Sequence, residues 1–164
     1  MTAKDSLKYA LTSTQNMLGM FVSDLSDADL LVRPAPTANH IAWQLGHLIS
    51  AEHSFLGMVG AAEAAPKLPE GFGDQHNKKT AGQDPPKGFA TKGQYLELFN
   101  KTRETALGAL AKMSDADLDK PTAGDMAKFA PNTGAIFMLM ANHTMMHAGQ
   151  FSVVRRKLGK PVLF

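Results

Sequence analysis

Residues 133–161 read TGAIFMLMANHTMMHAGQFSVVRRKLGKP, and the fold class turns on this stretch. Ile136, Leu139, Met140, His143, His147, Gln150 and Val154 recur at spacings of three and four, which puts them on one face of a helix. Arg155, Arg156 and Lys157 fill the last turn, where positive charge complements the helix dipole, and Gly159-Lys160-Pro161 is a stop signal. The spacing predicts a helix over about 133–158. Its longest apolar run, Ala135 to Ala141, is far shorter than the roughly 20 residues that cross a bilayer, so no membrane partner is expected.

Working outward, three further segments carry the same period. Leu7, Leu11, Thr14, Leu18, Phe21 and Leu25 share a face. A second set, Ile41, Leu45, Leu48, Ile49, Phe55, Leu56 and Val59, follows Pro34-Ala35-Pro36-Thr37. Leu96, Phe99, Ala106, Leu110 and Met113 form a third from about Thr91. No stretch alternates with period two, so the class is all-α. Between the second and third helices, Gly60 to Gly93 holds six glycines and four prolines, Pro85-Pro86 among them. A connection of this length is either a crossover or a functional cover. The expectation is one domain over residues 1–164, a four-helix bundle with a long crossover loop at about 60–92 between helices 2 and 3.

The chain also repeats itself. Leu25-Ser26-Asp27-Ala28-Asp29-Leu30 recurs as Met113-Ser114-Asp115-Ala116-Asp117-Leu118, each copy following an amphipathic helix. Aligning helix starts through Thr37 and Thr133 sets His47 and His143 at matching depths, as in two helical hairpins related by a pseudo-twofold axis.

Composition narrows the chemistry. The 164 residues include 17 Lys and Arg against 15 Asp and Glu, a net charge of +2, too weak a field to expect nucleic acid as a partner. There is no cysteine, which excludes a disulfide scaffold, an iron–sulfur centre and a protein thiol nucleophile. A transition metal must therefore be held by histidine and carboxylate. The ten methionines read as core filling. Met1 to Leu7 lacks a basic segment followed by an apolar run, so a cytoplasmic location is expected.

His143 and His147, at i and i+4, project from one helix face and can bind one ion. His47 on the second helix supplies a third imidazole, leaving open coordination positions as in a catalytic site. Trp43, Gln44 and Gln150 are candidate pocket groups that orient a ligand or a bound water. Arg103, on or beside the apolar stripe of the third helix, either holds an anionic substrate or packs its stem while its head reaches solvent. His40 lies two turns from His47, too far to share its metal, and His53 and His76 read as surface or loop residues. Residues 144–146 are Thr-Met-Met, so the Glu of the zinc-protease HExxH motif is missing. No Glu precedes a His by three residues, which excludes the ferritin-like di-iron signature, and there is no Walker loop. Glu52 falls about 140° around the helix from His47, a poor position for a base.

Ile41-Ala42-Trp43-Gln44-Leu45-Gly46-His47-Leu48, His143-Thr144-Met145-Met146-His147-Ala148-Gly149-Gln150 and the closing Leu158-Gly159-Lys160-Pro161 resemble the DinB-like family, also called the YfiT-like metal-dependent hydrolases. The resemblance implies a four-helix bundle that binds a divalent metal, nickel or zinc, through His47, His143 and His147. It also implies a homodimer. For activity it implies either a transferase that uses a low-molecular-weight thiol or a hydrolase of a small molecule, acting through a metal-bound thiol or water. The alternative is a non-catalytic, stress-response bundle protein that binds a metal or ligand.

Overall fold

Each long helix begins at a side-chain cap. Thr2 Oγ1 accepts from the Asp5 N–H at 3.1 Å while the Asp5 carboxylate accepts from the Thr2 N–H at 2.9 Å, which opens α1 (Ala3–Val22). α2 (Ile41–Met58) starts on His40, whose Nδ1 accepts from the Trp43 N–H at 3.2 Å. After the short α3 (Phe72–Gln75), Thr91 and Gln94 form a second capping box before α4 (Lys92–Lys112). Another single turn, α5 (Asp115–Leu118), precedes α6 (Thr133–Lys157), capped by Asn132. The computed structural model describes residues 1–84 and 86–163; Pro85 and Phe164 lie outside them. Among the described residues there is no β-strand, and no helix is long and apolar enough to cross a membrane.

Four long helices make the bundle, and two apolar clusters set their directions. One joins Leu18 and Phe21 of α1, Ile41, Leu45 and Leu48 of α2, Tyr95 and Phe99 of α4, and Phe151 and Val154 of α6. The other joins Leu7 and Leu11, Phe55 and Leu56, Ala106 and Leu110, and Ile136 and Met140. α1 therefore runs parallel to α6, and α2 parallel to α4. The largest contacts fall within these parallel pairs, with α1 also touching α4 and α2 touching α6. Within each half of the chain the two long helices, α1 with α2 and α4 with α6, thus stand across the diagonal, which corrects the expectation of two simple hairpins. The long connection follows directly: α2 has 18 residues, about 27 Å of rise, and the chain must travel back along it before α4 can start in the same direction.

That return path is packed as a strap. Phe72 is buried, and Leu68, Phe89 and Ala90 pack on the first apolar cluster. His76, read as a surface or loop residue, lies in the connection but is buried: its Nδ1–H donates to the Phe72 carbonyl at 2.7 Å and its Nε2 accepts from the Tyr95 hydroxyl at 2.8 Å. The His76 ring lies directly on Gly46, where an added Cβ would come within 2.1 Å of it.

Between the apolar clusters lies a polar layer. Arg103 is fully buried, and all five of its N–H groups are used. Nε and Nη2 bond the two Glu52 oxygens at 2.7 Å each, Nη1 bonds the Leu11 carbonyl and Thr14, and Nη2 also bonds Thr144 at 2.8 Å. This corrects both sequence readings of Arg103: its head is neither in solvent nor free for a substrate. Burial pushes the Glu52 carboxyl up, and the facing guanidinium opposes that; the two-pronged contact keeps the pair charged.

The internal repeat survives as local structure. In each copy the serine and the aspartate three residues on cap one another, Ser26 with Asp29 and Ser114 with Asp117, and the following leucine is buried. The threonine alignment does not hold: Thr37 lies in a turn before His40, whereas Thr133 is the first residue of α6. Only some of the methionines fill the core as expected, Met17, Met113 and Met126 packing against the clusters. Met140 is buried, but Met138, Met145 and Met146 are exposed along α6, as are Met20 and Met58. At the C-terminus Val162 is exposed and the Arg155 guanidinium bonds the Pro161 carbonyl.

Two stability measurements check this account. Glu52→Gln leaves a buried guanidinium uncompensated and should cost about 3–5 kcal/mol in chemical denaturation, with part of the loss recovered by Glu52→Gln/Arg103→Met. Gly46→Ala should cost about 1–3 kcal/mol, and much less when His76→Ala has already removed the ring.

Candidate metal centre

α2 and α6 pack antiparallel, and His47 meets His143 and His147 across their groove. The ligating atoms of the three all lie within 4.8 Å of one another. Ring centroids are 5.1 Å apart for His47 and His143, 5.4 Å for His47 and His147, and 4.8 Å for the α6 pair. His147 is buried; His47 and His143 are half-buried, so the cluster opens on one side.

Hydrogen bonds orient the rings. Gln44 donates its amide Nε2 to the Asn39 carbonyl at 2.8 Å, which leaves its Oε1 to accept from His147 Nδ1–H at 2.8 Å. His147 therefore carries its lone pair on Nε2, and that atom faces His143 Nε2 at 3.2 Å. Two imidazole nitrogens bound at about 2.05 Å to one tetrahedral ion stand about 3.3 Å apart, so the donor set fits a divalent metal. The His76 carbonyl lies beside the His47 ring and Trp43 stacks flat on its face, centroids 4.9 Å apart and planes within 7°. Phe55 closes the other end against His143.

The rings are held neutral. Burial, then the neighbouring His143 and His47, lower His147 to about 3; burial and His47 lower His143 to about 4. Burial also lowers His47, against the pull of the His76 carbonyl, and Lys78 on the strap adds to the lowering. At neutral pH all three lone pairs are free of protons, as metal ligation requires.

Other candidates divide clearly. Trp43 and Gln44 lie at the cluster, as the spacing implied. Gln150 does not: it is exposed, about 4.5 Å further along α6 than His147. His53 is half-buried and bonds the Pro66 carbonyl, and His40 caps α2 instead of ligating. Two features escaped the sequence reading. His76 supports His47 from the strap, signalled only by the glycine at 46 that its ring requires. Trp43 Nε1 and Ser50 Oγ, one turn to either side of His47, are buried without a hydrogen-bond partner. No periodicity reveals an unsatisfied atom.

Comparison with known proteins follows the geometry. A family model described as the DinB superfamily matches residues 10–151, which include all three histidines. Among solved structures, a conserved protein from Enterococcus faecalis superposes with a TM-score of 0.74 over 98% of this chain and 99% of that one, at 15% sequence identity. No curated protein matches the sequence.

Gln44→Ala removes the acceptor that fixes His147 and should weaken zinc affinity about 10–100-fold in competition with a chelator, leaving the helical circular-dichroism signal unchanged.

Proposed function

Given that the chain belongs to the DinB superfamily, we propose that it is a divalent-metal-dependent enzyme that transfers a low-molecular-weight thiol to a small electrophile, with His47, His143 and His147 holding nickel or zinc. The observation that carries this reading is the convergence of three neutral, oriented imidazoles on a half-open cluster. A bound divalent ion supplies Lewis acidity there, lowering the pKa of a thiol or water.

The surrounding residues favour a thiol over water. α6 contains no carboxylate, and α2 contains one, Glu52, whose two oxygens are committed to Arg103. The two helices that build the site thus supply no free general base. Water needs such help more than a thiol, whose ordinary pKa already lies near 8.5. Gln44 keeps the His147 lone pair on the groove side, Trp43 fixes the His47 plane by stacking, and Phe55 keeps that end apolar. The absence of cysteine means that the thiol arrives as a second substrate.

Protein purified without a histidine tag is expected to contain about one equivalent of metal, lost in His143→Ala. Trp43 is the sole tryptophan and stacks on a ligand, so its fluorescence should change when metal is restored to stripped protein. Metal-loaded protein should conjugate thiols to electrophiles and hydrolyse esters slowly or not at all. Metal content unaffected by His143→Ala overturns the site; ester hydrolysis without conjugation overturns the thiol reading.

A further inference from the structure

His47 has two unlike flanks. On the α6 side stand Gln44, His143 and His147. Trp43 and Ser50 lie about 40° and 60° around α2 from His47 in the opposite sense, toward Gly46 and the strap that covers it. On that strap side the His76 carbonyl faces the His47 ring, and two further polar groups have no partner. Trp43 is 97% buried by the complement of its 3% exposure, and its indole N–H has no acceptor although the ring lies flat on His47. Ser50 Oγ is equally without a partner, though a helical serine ordinarily bonds a carbonyl of the preceding turn. Lys78, two residues beyond His76, lies close enough for its charge to act on the His47 ring. A buried donor left unpaired costs about 1–3 kcal/mol, so two beside one metal ligand call for an acceptor that the chain does not supply.

We propose that Trp43 Nε1, Ser50 Oγ and Lys78 recognise a carboxylate on the small molecule bound at the three-histidine cluster. The inference rests on the thiol reading above and makes it narrower: the preferred thiol is a mercapto-carboxylate, its sulfur directed to the metal side of His47 and its carboxylate to the strap side. The indole N–H and the hydroxyl each offer a neutral donor to a carboxylate, and the lysine supplies the opposite charge. No carboxylate of α2 or α6 competes for these donors, because Glu52 belongs to Arg103.

The test is calorimetric binding of mercaptoacetate and of 2-mercaptoethanol to the zinc-loaded protein, compared with Trp43→Phe, Ser50→Ala and Lys78→Gln. Trp43→Phe keeps a ring on His47 and removes only the N–H, so the three variants fail independently if one does not fold. Wild-type protein should bind mercaptoacetate about tenfold more tightly than 2-mercaptoethanol, and each variant should lose several-fold of that preference. Equal binding of both thiols by the wild type, or a preference unchanged in all three variants, overturns the carboxylate inference and leaves thiol binding standing. Absence of binding by either thiol overturns the thiol reading and the inference with it.

Discussion

Arg103 reaches the axis of the bundle and bonds something on each of the other three long helices: the Leu11 carbonyl and Thr14 on α1, Glu52 on α2, Thr144 on α6. Its ring neighbour Phe99 lies under the guanidinium at 5.1 Å. A charge this deep is tolerable only if every donor is matched, and the matching partners exist in one register of the four helices. The apolar clusters above and below could slide by a turn at modest cost; the polar layer could not. Thr144 sits between His143 and His147 in sequence, so whatever fixes Thr144 on the axis also fixes the two histidines, about 100° and 60° around α6 from it in the same sense, against α2.

The strap adds the second constraint. Because α2 and α4 run in the same direction, the connection has to traverse the bundle, and its path over Gly46 carries the His76 backbone to His47. The connection demanded by topology thus also forms one wall of the site. The same segment buries a second histidine, His40, against Phe89, so that the cap of α2 and the strap are parts of one aromatic cluster.

Much of this was legible in the chain. The period of three and four located every long helix, and the i, i+4 pair with an inward face singled out His143 and His147; the third histidine of the cluster followed from pairing His47 with them. The alignment that supported His47 was nonetheless wrong in register, since His47 is seven residues into α2 and His143 eleven into α6. The two meet because α2 and α6 cross antiparallel, not because the halves superpose. Gln150 failed for a related reason. A spacing of three from His147 permits a shared face, but Gln150 lies beyond the cluster along the axis, where α6 is exposed at 149 and 150. The methionines of α6 misled in the opposite direction: Met138, Met145 and Met146 look like core by type but fall between the buried positions, and side-chain type is weaker evidence than angular position.

Local order in this protein, its helices, caps and repeated Ser–Asp boxes, is written in spacings of three and four, because each depends on atoms within one helical turn. Ligand type was equally open to reading, since a chain without cysteine has only imidazole and carboxylate to offer a transition metal. Long-range pairing decided the rest. That Arg103 faces inward, that α1 and α2, like α4 and α6, stand on the diagonal, that His76 covers Gly46 and that Trp43 and Ser50 are left without partners all depend on which surfaces meet. Those meetings join residues dozens of positions apart, and the free energy that selects them, charge matching in a buried layer and close packing over a glycine, has no period to read along the chain.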